Sequence, residues 1–280
     1  VSTAIPTWKY FFKVIFPFSI SSIDELNDGN FFNALTKAFQ SAKSESLAQS
    51  SHHLINEINE LDRWIEEAEE FGELAIDTET NSLDPHQAEL IGISLSTQIG
   101  KACYIPIGHK SQDCLNKEVV LKKLKPLLED KSIKKIGQNI KFDFIVLYKH
   151  GIEMSSMEDT MLMSYVLDAG KNRHNMDILS EIHLNHKTIS FKELVGSGKK
   201  EINFSEVELN KAMEYAAEDA DITYRLYKIF SKNLKLEKLT NIYETFEKPL
   251  IKILAFMAVS YTHLRAHETR HDLVCRLLLE

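Results

Sequence analysis

Only three cysteines occur in the 280-residue sequence, Cys103, Cys114 and Cys275. Their number is odd, they lie far apart, and no two form a C-x-x-C pair. A disulfide framework is thereby excluded, and a reducing, cytoplasmic setting is expected. Cations are in deficit as well. Lysine and arginine number 33 against 41 aspartates and glutamates, leaving a formal charge of −8. Bulk electrostatics of that sign repel nucleic acid and argue against a passive, charge-driven binder. They do not argue against an enzyme whose acidic cluster is neutralised by metal. Nor is there an apolar run of the roughly 20 residues that a membrane span needs. Lys9, Lys13 and Pro17 interrupt the aromatic-rich stretch 8–18, and no signal-type cleavage site follows it. No membrane association is expected. A starting methionine is missing too, and with Val1 in first place the chain is expected to be a fragment of a longer product.

What remains is the balance of an ordinary globular protein, 44% hydrophobic and 26% charged. Residues 1–51 pass from aromatic-rich to Ser- and Ala-rich and read as a linker or non-native leader. Residues 52–246 are densely patterned. Apolar spacing predicts a helix over 61–71, and the runs 73–78, 89–96 and 101–107 predict three strands joined by short turns. A helical period covers 119–128, with Pro126 expected to bend or break it. A buried strand is predicted over 133–138, with Lys134 and Lys135 as its solvated end, then a helix over 140–150 stopped by Gly151. Further helices are predicted over 159–167, 176–182, 205–217 and 219–234. Antiparallel strands followed by strand–helix alternation predict an α/β fold, a mixed β-sheet flanked by α-helices.

Chemistry concentrates in three short pieces. Asp77-Thr-Glu79 ends the first strand, and residues two apart in extended chain point to one face. Asn139 and Asp143, like Tyr215 and Asp219, stand four apart, one helical turn from each other on one face. Phosphodiester cleavage needs an activated water, an anchored phosphate and relief of charge on the leaving oxygen. Two Mg²⁺ ions roughly 3.5–4 Å apart provide all three, and hard divalent ions take carboxylate oxygens. Separately the pieces are weak, since Asn139 and Asp219 could each cap the helix that follows.

Together they resemble a known family. Asp77-Thr-Glu-Thr-Asn-Ser-Leu83, Gly137-Gln-Asn-Ile-Lys-Phe-Asp143 and Tyr215-Ala-Ala-Glu-Asp-Ala-Asp221 are similar to the three motifs of the DEDD exonucleases, with Tyr215 marking the DEDDy branch. Between them, Leu124-Lys-Pro-Leu-Leu-Glu-Asp130, Asp159-Thr-Met-Leu162, Arg173-His-Asn-Met-Asp177 and His186-Lys-Thr-Ile-Ser-Phe191 resemble the proofreading domains of bacterial DNA polymerases I. The resemblance implies a ribonuclease H-like fold and a 3′→5′ exonuclease acting on DNA. It assigns the catalytic ion to Asp77, Glu79 and Asp219, with Asp77 also bridging to a second ion that Asp143 helps bind through water. The ions would be Mg²⁺, with Mn²⁺ able to substitute. Tyr215 and Glu79 would orient the attacking water. Leu83 and Phe191 would wedge against terminal bases, with Gln138, Asn139, Phe142 and Arg173 contacting the strand. Phe142 departs from the tyrosine usual in the family, which removes a hydrogen bond there. The implied partners are a single-stranded DNA 3′ end or frayed primer terminus and a polymerase domain in cis, in a monomeric protein. On this reading residues 247–280 hold the start of the polymerase region and then a non-native tail.

Rival readings remain. A 3′ exoribonuclease of the DEDDy type shares the same carboxylates, and a catalytically silent DNA-binding scaffold shares the fold. His267-Glu-Thr-Arg-His271 matches the zinc-protease spacing H-E-x-x-H, with His263 one turn earlier. Only nine residues follow His271 and no core pattern surrounds the motif, so a fortuitous tail without zinc chemistry is expected. Lys187, Lys192, Lys199 and Lys200 around Gly196-Ser-Gly198 read as a solvated loop that could touch a DNA backbone. His174 and His186 read as structural or surface residues, because Mg²⁺ favours oxygen. Cys103 reads as a small core residue.

Overall fold

The computed structural model describes residues 50–110, 114–196, 198 and 202–265, with side chains as far as 259. All belong to the unit formed by residues 43–280. The expected H-E-x-x-H segment, the first 49 residues, Lys199 and Lys200 lie outside the described residues.

Strand β1 (Ser51–Leu54) leads into helix α1 (Ile58–Phe71). A capping box between Glu57 and Glu60 starts α1, and Gly72 ends it with φ 66°, a left-handed turn that glycine adopts without Cβ strain. Strands β2 (Glu73–Thr80), β3 (Leu90–Gln98) and β4 (Lys101–Pro106) follow as an antiparallel meander. Then come α2 (Lys117–Glu129), β5 (Lys134–Gly137), α3 (Lys141–Tyr148), β6 (Met157–Asp159) and α4 (Thr160–Asp168). Helices α5 (Met176–Leu184), α6 (Phe191–Val195) and α7 (Leu209–Leu236), the 3₁₀ turn Phe204–Glu206, a single helical turn Thr240–Ile242, a π-helical turn Tyr243–Glu247 and α8 (Lys248–Arg265) complete the order.

The sheet runs β1-β4-β3-β2-β5-β6, with β1–β4, β2–β5 and β5–β6 parallel. It is a mixed sheet flanked by helices, the α/β class expected. Alternation along β2 separates two cores. Leu74 and Ile76 face a layer that includes Leu61, Trp64, Leu124, Phe144, Ile251 and Ala255 from α1, α2, α3 and α8. Ala75 faces the opposite layer, where Met163, Leu179, Ile222, Leu226 and Phe230 pack from α4, α5 and α7. Central placement buries β2 on both sides and leaves its C-terminal end, Asp77 to Thr80, as the place where polar groups emerge.

Four local expectations change. Residues 209–236 form one continuous helix, because Asp219 is a buried interior residue rather than a cap. Alanines 217 and 220 there meet Ala102 of β4, and their small side chains permit the close crossing. Helix α2 continues through Pro126, where both the ring and Lys122, whose carbonyl the ring leaves unbonded, lie on the exposed side. Lys135 is fully buried rather than solvated, and its ammonium donates to the carbonyls of Asp130 and Ile133 at 2.5 and 2.6 Å. Strand β1 begins at Ser51 and pairs with β4 in the register Ser51–Lys101 to Leu54–Tyr104, although Ser-His-His-Leu carries no apolar alternation.

Candidate active site

Asp77 and Glu79 leave β2 on the same face, and Asp219 comes to meet them from the middle of α7. One carboxylate oxygen from each of the three lies within 4.8 Å of the other two. Glu79 is opposite Gly92 in the β2–β3 register, and Tyr104 crosses that glycine so closely that a Cβ there would lie 2.0 Å from its hydroxyl. A side chain at position 92 would displace the ring that backs Glu79. Tyr104 is itself buried and held by His109 Nε2 at 2.7 Å.

Asp143 approaches from the first turn of α3. Its Oδ1 accepts from the Thr78 backbone N–H at 2.9 Å and from the Thr78 hydroxyl at 2.6 Å. Those two bonds fasten α3 to β2 beside the trio. Asp143 is outside the close trio, but its charge is near enough to raise the proton affinity of Glu79.

Burial and mutual repulsion dominate the electrostatics. Burial pushes Asp77 up to about 6. Glu79 is raised well above the ordinary carboxylate range by burial first, then by Asp77, Asp219 and Asp143. Burial and Asp77 raise Asp143 against the two Thr78 bonds, and burial and Asp77 raise Asp219 against a hydrogen bond from Tyr215. Tyr215 is driven upward by burial and then by Asp219, Glu79 and Asp77, so its hydroxyl stays protonated and acts as a donor. Oε1 of Glu79 is buried without a hydrogen-bond partner. A buried carboxylate oxygen left bare among other acids is costly, and a hard divalent cation is the group whose chemistry removes that cost. The oxygen-only donor set fits such an ion.

The other expected positions scatter around this centre. Leu83 is 94% exposed beyond β2, and Phe191 opens α6 with 43% exposure. The Phe191 ring stacks on Phe204 at 6.3 Å and meets the edge of Tyr215 at 5.9 Å. Phe142 packs partly against the first core, and Arg173 is exposed. Gln138 is engaged within the protein, its oxygen accepting from Thr160 and its nitrogen donating to the His174 carbonyl. Asn139 has φ 58° and makes no cap for α3; its N–H and that of Ile140 donate to Asp159 instead. Asp159 also caps α4 through Met161 and Leu162, so one carboxylate ties the turn before α3 to the helix after β6. His186, expected to be structural or at the surface, bonds Glu218, and Cys103 is buried in β4 as expected.

Sequence reasoning missed Thr78, Asp159, Glu218 and the Tyr104–His109–Phe204 cluster. Thr78 and Glu218 stand next to residues already singled out. The Tyr104 cluster has no local signal, because it joins β4 to a 3₁₀ turn about a hundred positions later.

The chain belongs to the 3′–5′ exonuclease family, whose pattern matches residues 52–235. Among curated proteins it is 42% identical over 242 residues to DNA polymerase I of Rhizobium leguminosarum, covering 77% of this chain and 24% of the relative. It is 39% identical over 201 residues to DNA polymerase I of Pseudomonas aeruginosa, covering 69% of this chain and 22% of the relative. The chain therefore spans about a quarter of the length of those relatives. Among solved structures, Brucella melitensis NrnC with bound Mg²⁺ is similar at TM-score 0.52 and 26% identity, covering 72% of this chain and 91% of that one. The fold and membership together define a 3′–5′ exonuclease domain of the ribonuclease H-like type.

Proposed function

We propose that this domain removes deoxynucleotides one at a time from a DNA 3′ end, as the proofreading part of a DNA polymerase I. The carrying observation is the trio Asp77, Glu79 and Asp219, whose carboxylate oxygens converge within 4.8 Å, together with a Glu79 Oε1 that is buried without a hydrogen-bond partner. These three would hold one divalent ion, and Asp77 with Asp143 would place a second. Mg²⁺ suits the all-oxygen donors, and Mn²⁺ can substitute. Bound there, the ions supply an activated water and relief of charge on the leaving 3′ oxygen.

The residues of the chain do the rest. Tyr215, kept protonated by burial and its acidic neighbours, would turn its single O–H from Asp219 toward the attacking water when an ion engages that carboxylate. Oε1 of Glu79, buried and unpartnered, would serve as the acceptor, so that water is oriented from two sides. Leu83 and Phe191 offer apolar surface on which unpaired terminal bases stack, while Arg173, Phe142, Asn139 and the remaining amide donor of Gln138 meet the strand. A single pocket reached by one strand favours a melted end over a paired one. Relatives four times as long support a polymerase domain in cis. So does α8, which leaves Leu250, Ile253, Leu254 and Met257 partly uncovered. Among the described residues no helix is long and apolar enough to cross a membrane.

The test is digestion of a 3′-mismatched, end-labelled DNA primer with Mg²⁺ or Mn²⁺, beside a chelator control, an RNA oligomer and Asp219→Ala. A metal-dependent ladder on DNA that Asp219→Ala loses supports the proposal. A ladder on RNA alone would replace DNA with RNA as substrate, and an undiminished Asp219→Ala ladder would sink the metal mechanism.

A further inference from the structure

We propose that Glu218 is a positioning residue that bolts the Phe191 wedge to the helix carrying Tyr215 and Asp219, an inference that rests on the exonuclease reading above. Glu218 directly precedes Asp219 on α7, yet its carboxylate turns toward the segment leading into α6. One oxygen lies 2.7 Å from His186 Nε2, and the other accepts the backbone N–H of Ile189 at 2.7 Å. Its side chain is only 13% exposed, so these bonds are shielded from water.

The segment from 186 to 191 is also anchored to α5, where the His186 N–H donates to the Ser180 carbonyl at 3.3 Å. Ser180 Oγ donates to the His186 carbonyl at 3.0 Å, and Thr188 Oγ1 donates to Asp177 at 2.7 Å. Phe191 follows at once and opens a helix of five residues, too short to hold its own conformation. Its ring is placed by what surrounds it: Phe204 beneath, parallel within 8°, and the edge of Tyr215. Glu218 is the tie that comes from the same helix as the acids. It fixes the distance between the surface where a base stacks and the place where the phosphate is cut. A stacked base contributes only if the ring is held before the strand arrives, and Glu218 supplies that preorganisation.

Two roles for Glu218 predict different kinetics. A wedge-positioning residue changes strand binding and leaves the chemical step nearly intact. A residue acting through its charge on Asp219 changes kcat. In the full chain, Glu218→Ala is expected to raise KM for single-stranded DNA about tenfold, with kcat within about threefold of wild type. Phe191→Ala should raise KM similarly, and the double variant should be no worse than Phe191→Ala alone. Glu218→Gln keeps an oxygen for the Ile189 N–H and should recover most of the loss. His186→Ala cuts the tie from the loop side and should raise KM even if Glu218→Ala fails to fold.

A second readout needs no catalysis. An oligonucleotide with 2-aminopurine at its 3′ end, bound in EDTA, should be quenched by wild type and by Glu218→Gln, and not by Glu218→Ala or Phe191→Ala. Retained quenching in Glu218→Ala, a lowered kcat at unchanged KM, or additive losses in the double variant would each overturn the positioning role. If wild type digests DNA and Asp219→Ala does not, such a result removes Glu218 alone. Glu218-dependent quenching by a wild type that cuts no DNA would instead sink the exonuclease reading and keep the positioning role.

Discussion

Asp219 and Asp221 lie two residues apart on α7, 5% and 2% exposed, and their surroundings are opposite. Arg225 Nε lies 3.0 Å from both oxygens of Asp221, which also accept the Gly100 N–H at 2.7 Å and the Ser50 hydroxyl at 3.0 Å. Asp219 instead shares its cleft with Asp77 and Glu79 and takes a bond from Tyr215. One buried acid has its cation built into the next turn of the same helix, and the other is packed among acids. Buried acids with no cation of the chain among them are costly to keep and concentrate at functional sites. The contrast, more than acidity itself, separates the carboxylate proposed to work from the one that holds the fold together.

The sharpest break comes from removing each acid in turn. Asp219→Ala should lower the rate of primer digestion by on the order of 10³–10⁴-fold, since a metal contributes several kcal/mol to the transition state. Its metal-free melting temperature should not fall, because a like charge has been removed. Asp221→Ala should do the reverse. It leaves Arg225 buried without its partner, at a cost of about 3–5 kcal/mol, which thermal melts should register as a drop of roughly 10 °C. The folded fraction should keep its digestion rate within an order of magnitude.

A smaller effect concerns protons. Asp77 is raised from 3.8 to about 6, so between those values the folded chain keeps a proton that the unfolded chain has released. The contribution to stability is full below 3.8 and is lost as pH rises through about 6, by at most about 3 kcal/mol. Melts in EDTA should fall across that window, and Mg²⁺ should restore stability above pH 6 and have little effect at pH 4. Melts in EDTA that stay flat with pH would remove the argument for a repelling cluster. The mildest change is Tyr215→Phe, which loses one hydrogen bond and keeps the ring against Phe191. About a tenfold loss in kcat is expected, and a loss as large as that of Asp219→Ala would give Tyr215 a direct part in the proton transfer.

Much of this was legible in residue order. Asp77 and Glu79 were readable as one face of a strand, and Tyr215 and Asp219 as one face of a helix, because period alone decides those directions. The sheet followed from the runs at 73–78, 89–96 and 101–107. What escaped depends on contacts between distant positions. Asp219 looked like a helix start because aspartate caps helices, and only the crossing of α7 over β4 makes it an interior residue. Lys135 looked solvated because lysine usually is, until the carbonyls of Asp130 and Ile133 supply acceptors. Strand β1 has no apolar alternation of its own and exists through its register with β4. Asp159 resembles an ordinary cap in sequence and in space is also the tie that shapes the turn at Asn139.

Continuity of α7 has a consequence for how this domain can vary. From one unbroken helix, Tyr215 and Asp219 turn to the acidic cleft, Glu218 to the segment before α6, and Asp221 with Arg225 to Ser50 and the β3–β4 turn. Each added or deleted residue would turn everything beyond it by about 100°, swinging Asp219 away from Asp77 or Asp221 away from Gly100 in the β3–β4 turn. Substitutions can be absorbed one position at a time, whereas changes of length between 215 and 225 cannot. In a library of single-residue insertions and deletions, that stretch should stand out as a gap in the tolerated positions, wider than any left by the carboxylates alone.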